Sequence, residues 1–336
     1  MARTELESKA LAQTSSSESS PRHEVAVIII NYNGRGYLDE LLRSLQRQTF
    51  QDFSTLLIDN GSQDGSVSYV RNNFAWVRVL AQPTNLGFSR AANLGAKNCE
   101  TTYLALLNPD VKLDPEWLQE LVRVVRQDPN IAAVASKMRL YHQPRRLNGV
   151  GGAMNSLGYT WDRGMWEEDR GQYDHCEEVL FASAGAALFR RAALVEAGGF
   201  DERFFMDHED VDLCWRLWLL GGRVVTAPRA LAYHHFGGST QASRGMEWRE
   251  RMGERHNIRT LIKNYQLGNL VPALARLALL PQPFRRKCAQ YRNFLWNLYL
   301  LPDTLGRRRW IQNRRCRCDQ ELQHLIVQSK HVPISL

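Results

Sequence analysis

Three runs decide the fold: Val25-Ala-Val-Ile-Ile-Ile-Asn-Tyr-Asn33, Thr55-Leu-Leu-Ile-Asp-Asn-Gly-Ser62 and Tyr103-Leu-Ala-Leu-Leu-Asn-Pro-Asp110. Each is a short apolar stretch that stops at polar residues. Val25 to Ile30 shows no polar alternation, the pattern of a strand buried on both faces. Two of the runs end by releasing a carboxylate, Asp59 and Asp110. In open α/β sheets ligands bind outside the carboxyl ends of the strands. Two such acids can therefore share one ligand, and their hard oxygens suit Mg²⁺ or Mn²⁺ carrying a phosphate. The expectation is a metal-dependent enzyme for a nucleoside diphosphate.

The intervening sequence fits crossover connections. Leu38, Leu41, Leu42 and Leu45 follow helical spacing. Asp59-Asn-Gly-Ser-Gln-Asp-Gly65 is dense in turn formers. A short helix follows, then a strand over Trp76–Leu80, a loop at Asn85-Leu-Gly-Phe88 and an Ala-rich helix over Ser89–Asn98. Pro115–Arg126 reads as a helix capped by Asp114, and Ile131–Ser136 as a fifth strand. This alternation predicts an α/β domain with a mainly parallel sheet. Arg139–Glu178 reads as loops over the sheet's edge. Phe181–Phe189 reads as a small-residue strand that another group approaches closely. Helices over Arg191–Ala197 and Val211–Leu220 and two late strands, Arg223–Thr226 and Ala230–His234, complete the domain.

Composition excludes several classes. The chain has 336 residues, 44% hydrophobic and 23% charged, ordinary for a globular protein. No run reaches the roughly 18 to 20 apolar residues of a spanning helix. The N-terminus lacks the order of a signal peptide, so a cytoplasmic protein is expected. The six cysteines are scattered, and Cys316-Arg-Cys318 is too tightly spaced for a zinc site, so all read as reduced thiols. The net charge of +8 is uneven: Phe284–Cys318 holds ten basic residues against Asp303 alone. Interleaved with Phe294, Trp296, Tyr299 and Trp310, that charge suits an anionic membrane surface. A solvated helical cap is the plainer reading. Nucleic-acid binding is disfavoured, because the sheet domain is near neutral. The expected organisation is a disordered tail over 1–23, a catalytic domain over 24–240 and a helical basic extension over 241–336.

Further candidates lie late in the domain. Glu209-Asp210 opens a helix, where acids are favoured by the dipole, yet Phe204-Phe-Met206 and Cys214-Trp-Arg-Leu-Trp218 make an apolar setting. A carboxylate there can act as a base with a raised pKa. His234-His-Phe-Gly-Gly-Ser239 ends a strand, where an imidazole or backbone amides can meet a metal or phosphate. His234 is the first choice and His235 the second.

Together with Asn85-Leu-Gly-Phe-Ser-Arg-Ala-Ala-Asn93, Gly199-Phe-Asp-Glu-Arg-Phe-Phe-Met206 and Glu209-Asp-Val-Asp-Leu-Cys-Trp-Arg216, these motifs resemble the family 2 inverting glycosyltransferases. The likeness covers Val25–Thr240 and is greatest to the bacterial rhamnosyltransferase-like branch. It implies a GT-A fold, a nucleotide-sugar donor (dTDP-rhamnose in that branch) and a glycan or lipid-linked saccharide acceptor. It also implies a divalent cation, Mg²⁺ or Mn²⁺. By motif match, Asn31, Asp59, Asn85, Gly87, Asn108 and Asp110 would line the donor site, with Asp59 on the base. Asn108-Pro-Asp110 stands where the family usually has Asp-X-Asp, so Asp110 would carry the metal, helped by His234. Asp210 would be the general base, with Glu209 and Arg216 on the acceptor side. The alternative is a pseudo-enzyme that binds nucleotide sugars, or a basic nucleic-acid binder. The extension would hold the enzyme peripherally on the inner face of the membrane.

Overall fold

A computed structural model describes residues 23–236, 246–279 and 284–327. The polar N-terminal tail and Gly237-Gly-Ser239 lie outside the described residues. The strands are β1 (Val25–Asn31), β2 (Phe53–Asp59), β3 (Val77–Ala81), β4 (Tyr103–Leu107), β5 (Val111–Leu113), β6 (Ile131–Leu140) and β7 (Gln143–Val150), then β8 (Gly152–Asn155), β9 (Thr160–Asp162), β10 (Ala186–Arg190), β11 (Arg223–His234) and β12 (Ile326–Val327). The main sheet runs β3-β2-β1-β4-β10-β6-β11-β5, with β7 paired to β6. Its first four strands are parallel, as the apolar runs predict. β10 enters antiparallel to both β4 and β6. Its small residues Ala186 and Ala187 are completely covered by these neighbours and by core on both faces.

Two readings of the sequence are corrected. Arg139–Glu178 is not a set of loops: β7 folds back on β6 as a hairpin, and β8 and β9 form a second, small sheet with β12. The first half of β7, Gln143-Pro-Arg-Arg146, is exposed while Leu147-Asn-Gly-Val150 is buried. No period-two alternation therefore marks it. The two late strands are one, β11, with an irregularity between Ala227 and Leu231. Pro228 lies in that break, where its missing N–H costs no ladder hydrogen bond.

The helices are α1 (Arg35–Gln46), α2 (Ser66–Asn73), α3 (Phe88–Lys97), α4 (Trp117–Val125), α5 (Arg191–Glu196), α6 (Glu209–Leu219), α7 (Met246–Asn264), α8 (Leu267–Leu279), α9 (Phe284–Tyr299) and α10 (Leu301–Arg314). The leucine stripe of α1 and Trp117, Leu118 and Leu121 of α4 fill one core cluster on one face of the sheet. Each such side chain contributes roughly 1.5–3 kcal/mol by leaving water. On the other face α3 and α6 build a second cluster. Leu261, Tyr265, Leu277 and Ile311 of the extension belong to it.

Charge also docks the extension. Arg259 and Lys263 of α7 are buried with Asp201 and with Asp212 of α6. Arg259 Nε lies 2.8 Å from Asp201 Oδ2, and Lys263 Nζ lies 2.6 Å from Asp201 and 2.7 Å from Asp212. These cations hold the Asp201 carboxyl far below the usual carboxylate range, against the opposing cost of burial. Arg308 donates to the Ile262 and Tyr265 carbonyls, and Arg317 to Gly221 and Gly222. Part of the basic charge of the extension is thus spent inside the protein.

Candidate active site

The parallel register places Asn31 opposite Asp59 at the carboxyl edge of the sheet. Asn31 Nδ2 donates to Asp59 Oδ1 at 2.8 Å and to Ser62 Oγ at 3.1 Å. The Ser62 N–H donates to Asp59 Oδ2 at 3.0 Å. Asp59 is therefore a fixed, buried carboxylate, oriented by the Asn31 Nδ2 and the Ser62 N–H. Asn60 binds the next loop: its Oδ1 accepts from the Leu86 N–H and its Nδ2 donates to the Gly87 carbonyl. Asn85 Oδ1 accepts from the Gly87 N–H at 2.9 Å, which tightens the same turn.

On the other side of β1, β4 ends at Asn108-Pro-Asp110. The Asn108 N–H donates to the Gly185 carbonyl at 2.9 Å. The short β5 then pairs with β11, Val111 opposite His234. That pairing brings His234 Nε2 to 3.5 Å from Asp110 Oδ1. The ring's other nitrogen, Nδ1, lies 2.6 Å from Asn148 Oδ1 on β7. His235 turns the opposite way. Its Nε2 lies 3.2 Å from Glu40 Oε2, and its ring stacks on Tyr141 at 3.6 Å between centroids. Of the two histidines, His234 is the one at the acid.

The carboxylate of Asp110 and the imidazole of His234 are suitable donors for Mn²⁺ or Mg²⁺. Among the described residues no group of three His, Cys, Asp or Glu side chains could hold a metal. Asp110 and His234 would be the residues to hold such a cation, which would supply positive charge at this edge of the sheet.

Asp210 sits in the first turn of α6. Its Oδ1 accepts from the Val211 N–H at 2.8 Å and its Oδ2 from the Ala184 N–H at 3.3 Å. Burial outweighs these bonds and, helped by the charge of Asp207, pushes its pKa up to about 6. The two residues preceding Glu209, Asp207 and His208, both have left-handed backbones, with φ of 65° and 76°. Such strain costs on the order of 1–3 kcal/mol per residue and persists only where surroundings enforce it. Here α7 does so: His256 Nδ1 lies 2.8 Å from the Asp207 carbonyl oxygen, and its ring stacks on Phe204 at 4.4 Å.

The loop that leads into α6 rests on the Asn85–Phe88 loop. The Phe88 N–H donates to the Phe205 carbonyl at 2.6 Å. Asn93 accepts from the Phe200 N–H and donates to its carbonyl, each at 2.9 Å. Gly87 has φ of 81°, and a Cβ there would lie 2.5 Å from the Phe205 oxygen. Its lack of a side chain therefore serves contact with the protein's own loop.

Glu209 is buried beside Asp210. Arg216 is not on an acceptor face. It is 3% exposed, its Nη2 lies 2.8 Å from Asp212 Oδ2, and its Nη1 donates to the Ala197 and Gly199 carbonyls. Two turns into α6, it is turned into the ionic network under the extension. Sequence reasoning missed Asn60, Asn148 and His256. Asn148 falls in the stretch read as loops, and His256 in a helix whose charge hid it.

Parallel strands that end in acids, beside a helix whose first turn bears a carboxylate of raised pKa, make an α/β scaffold with a polar, acid-bearing sheet edge. The model of Glycosyl transferase family 2 matches residues 26–198, and the chain belongs to that family: it is a glycosyltransferase. It is 31% identical over 236 residues to the N-acetylglucosaminyl-diphospho-decaprenol L-rhamnosyltransferase of Mycobacterium tuberculosis (strain ATCC 25618 / H37Rv), covering 64% of this chain and 76% of that protein. The fold is that of GT-A enzymes. GalNAc-T7 with UDP, GalNAc and Mn²⁺ superposes with a TM-score of 0.60 at 15% identity, over 82% of this chain and 55% of that one. The mannosyltransferase PcManGT of Pyrobaculum calidifontis, with GDP-Man and Mn²⁺, gives 0.53 at 17% identity over 86% and 85%.

Proposed function

We propose that the chain transfers rhamnose from dTDP-rhamnose to a lipid-linked saccharide in cell-surface polysaccharide synthesis, inverting the anomeric centre in one displacement. The observation that carries the mechanism is Asp210: a carboxylate of raised pKa in the first turn of α6, whose preceding loop is seated on the Asn85–Phe88 loop. Asp59 contacts the nucleoside, and Asp110 with His234 would hold a divalent cation, Mg²⁺ or Mn²⁺. When bound, that cation offsets the negative charge growing on the leaving group. Asp210 takes the proton of the acceptor hydroxyl as its oxygen bonds the anomeric carbon and the bond to the diphosphate breaks. The rhamnosyl and lipid-linked parts of this reading rest on the mycobacterial relative.

A thermal-shift screen of nucleotide sugars with Mn²⁺ tests the donor. dTDP-rhamnose at 100 times its Kd should stabilise the fold by about 2.7 kcal/mol. Stabilisation by UDP- or GDP-sugars instead would overturn that donor.

We further propose that the extension rests on the inner face of the cell membrane, with the chain in the cytoplasm. Tyr291, Leu295, Leu298 and Tyr299 lie on one face of α9, each at least 63% exposed, beside exposed Arg292. Leu267 and Val271 lie exposed one turn apart on α8. Among the described residues no helix is long and apolar enough to cross a membrane. Flotation of the full chain with vesicles of phosphatidylcholine and phosphatidylglycerol should recover it, and Leu295→Glu with Leu298→Glu should abolish recovery. Absence of wild-type flotation, or equal flotation by both, would sink the idea.

A further inference from the structure

We propose that Asn148 is a positioning residue: it fixes the tautomer of His234 so that the Nε2 lone pair faces the cation seat beside Asp110. This rests on the reading of Asp110 and His234 as metal-holding groups. A neutral imidazole has one donor and one acceptor nitrogen, and the partner of one decides the role of the other. Asn148 is buried at 2% exposure, and its Oδ1 lies 2.6 Å from His234 Nδ1. An amide oxygen can only accept, so Nδ1 carries the proton and Nε2 is left as a base. That Nε2 is the atom 3.5 Å from Asp110 Oδ1.

The placement is built by the sheet. β7 and β11 flank β6; β11 holds register on it at His234, whereas β7 shifts register at Asn148. Asn148 follows Leu147, the partner of Arg139, and precedes Gly149, the partner of Met138. It thus falls at the irregularity between those two pairs. His234 is the last paired residue of β11, opposite Leu140. The misregister on β7 is what leaves a buried amide for the histidine. Partners of metal-bound histidines are worth about 10–100-fold in metal affinity.

The test measures Mn²⁺ binding by electron paramagnetic resonance, with dTDP present, on the full chain and three variants. Asn148→Leu removes the acceptor and should weaken Mn²⁺ binding by about 10-fold or more. Asn148→Asp accepts from Nδ1 but cannot donate, and should bind Mn²⁺ within about threefold of wild type, or more tightly, as carboxylate–histidine–metal triads do. A merely structural role would not distinguish these two. If Asn148→Asp is as weak as Asn148→Leu, the amide acts as donor and the proposal falls. His234→Ala separates the underlying reading. If it leaves Mn²⁺ affinity unchanged, His234 is not at the metal. If it weakens binding while Asn148→Leu does not, only the role of Asn148 is overturned.

Discussion

The sheet edge around Asp59, proposed for the donor, and the helix start around Asp210, proposed for the acceptor, are held by different means. Around Asp59 the supports are backbone N–H groups and short amides: Asn31, Asn60 and the Ser62 N–H, all at or near strand ends. Around Asp210, whose carboxylate also accepts from two backbone N–H groups, the added supports are buried ions and rings brought from far along the chain: Asp201 with Arg259 and Lys263, and His256 on the Asp207 carbonyl. The donor half is the edge of a sheet that must form in any case. The turn that carries Asp210 draws part of its support from α7, which follows the main sheet in the chain.

The largest expected effect breaks the comparison at its catalytic end. Asp210→Asn should lower turnover by about 10²–10⁴-fold while leaving donor affinity within about twofold, measured by initial rates and calorimetry. Wild-type turnover would refute the base. The wild-type kcat/KM should rise with pH through about 6, where Asp210 loses its proton, and level off above. Stability has the opposite sign. A carboxyl whose folded pKa lies above its unfolded value binds more protons in the folded state. The contribution of Asp210 to stability therefore falls as pH rises from about 4 to about 6, opposed by the buried rings of His208 and His256, lowered to about 3 and about 4, and the neutral Asn variant should melt higher than wild type at pH 7.

Next in size is the contrast in support. Lys263→Met strips Asp201 and Asp212 of a shared cation and should cost about 3–5 kcal/mol in urea unfolding. Ser62→Ala removes one hydroxyl from the Asn31–Asp59 set and should cost only about 0.5–1.5 kcal/mol. Equal costs would mean that the halves are supported alike.

The same contrast explains what could be read from the sequence. β1, β2 and β4 were legible because burial on both faces leaves uninterrupted apolar runs, and Asp59 and Asp110 were legible because they end those runs. Asp210 was marked by the apolar residues on either side of it. β7 was not, because half of it faces water and its useful residue, Asn148, sits at a misregister. The ionic network was not, because Asp201 and Arg259 are 58 residues apart and no periodicity links them. Arg216 was misassigned for the same reason: a motif shows that a residue is required without showing which way it faces. The basic extension was read by net charge alone, although Lys263 and Arg308 are turned inward.

One consequence concerns time rather than space. Every cation that meets Asp201, namely Arg259, Lys263 and Arg307, is encoded after the last strand of the main sheet. During synthesis the sheet can pair while Asp201 still has no counter-ion, and the strained turn at Asp207 and His208 has no His256 to hold it. The turn that carries Asp210 is therefore the part of the domain whose supports are made last, when α7 and α10 follow the sheet out of the ribosome.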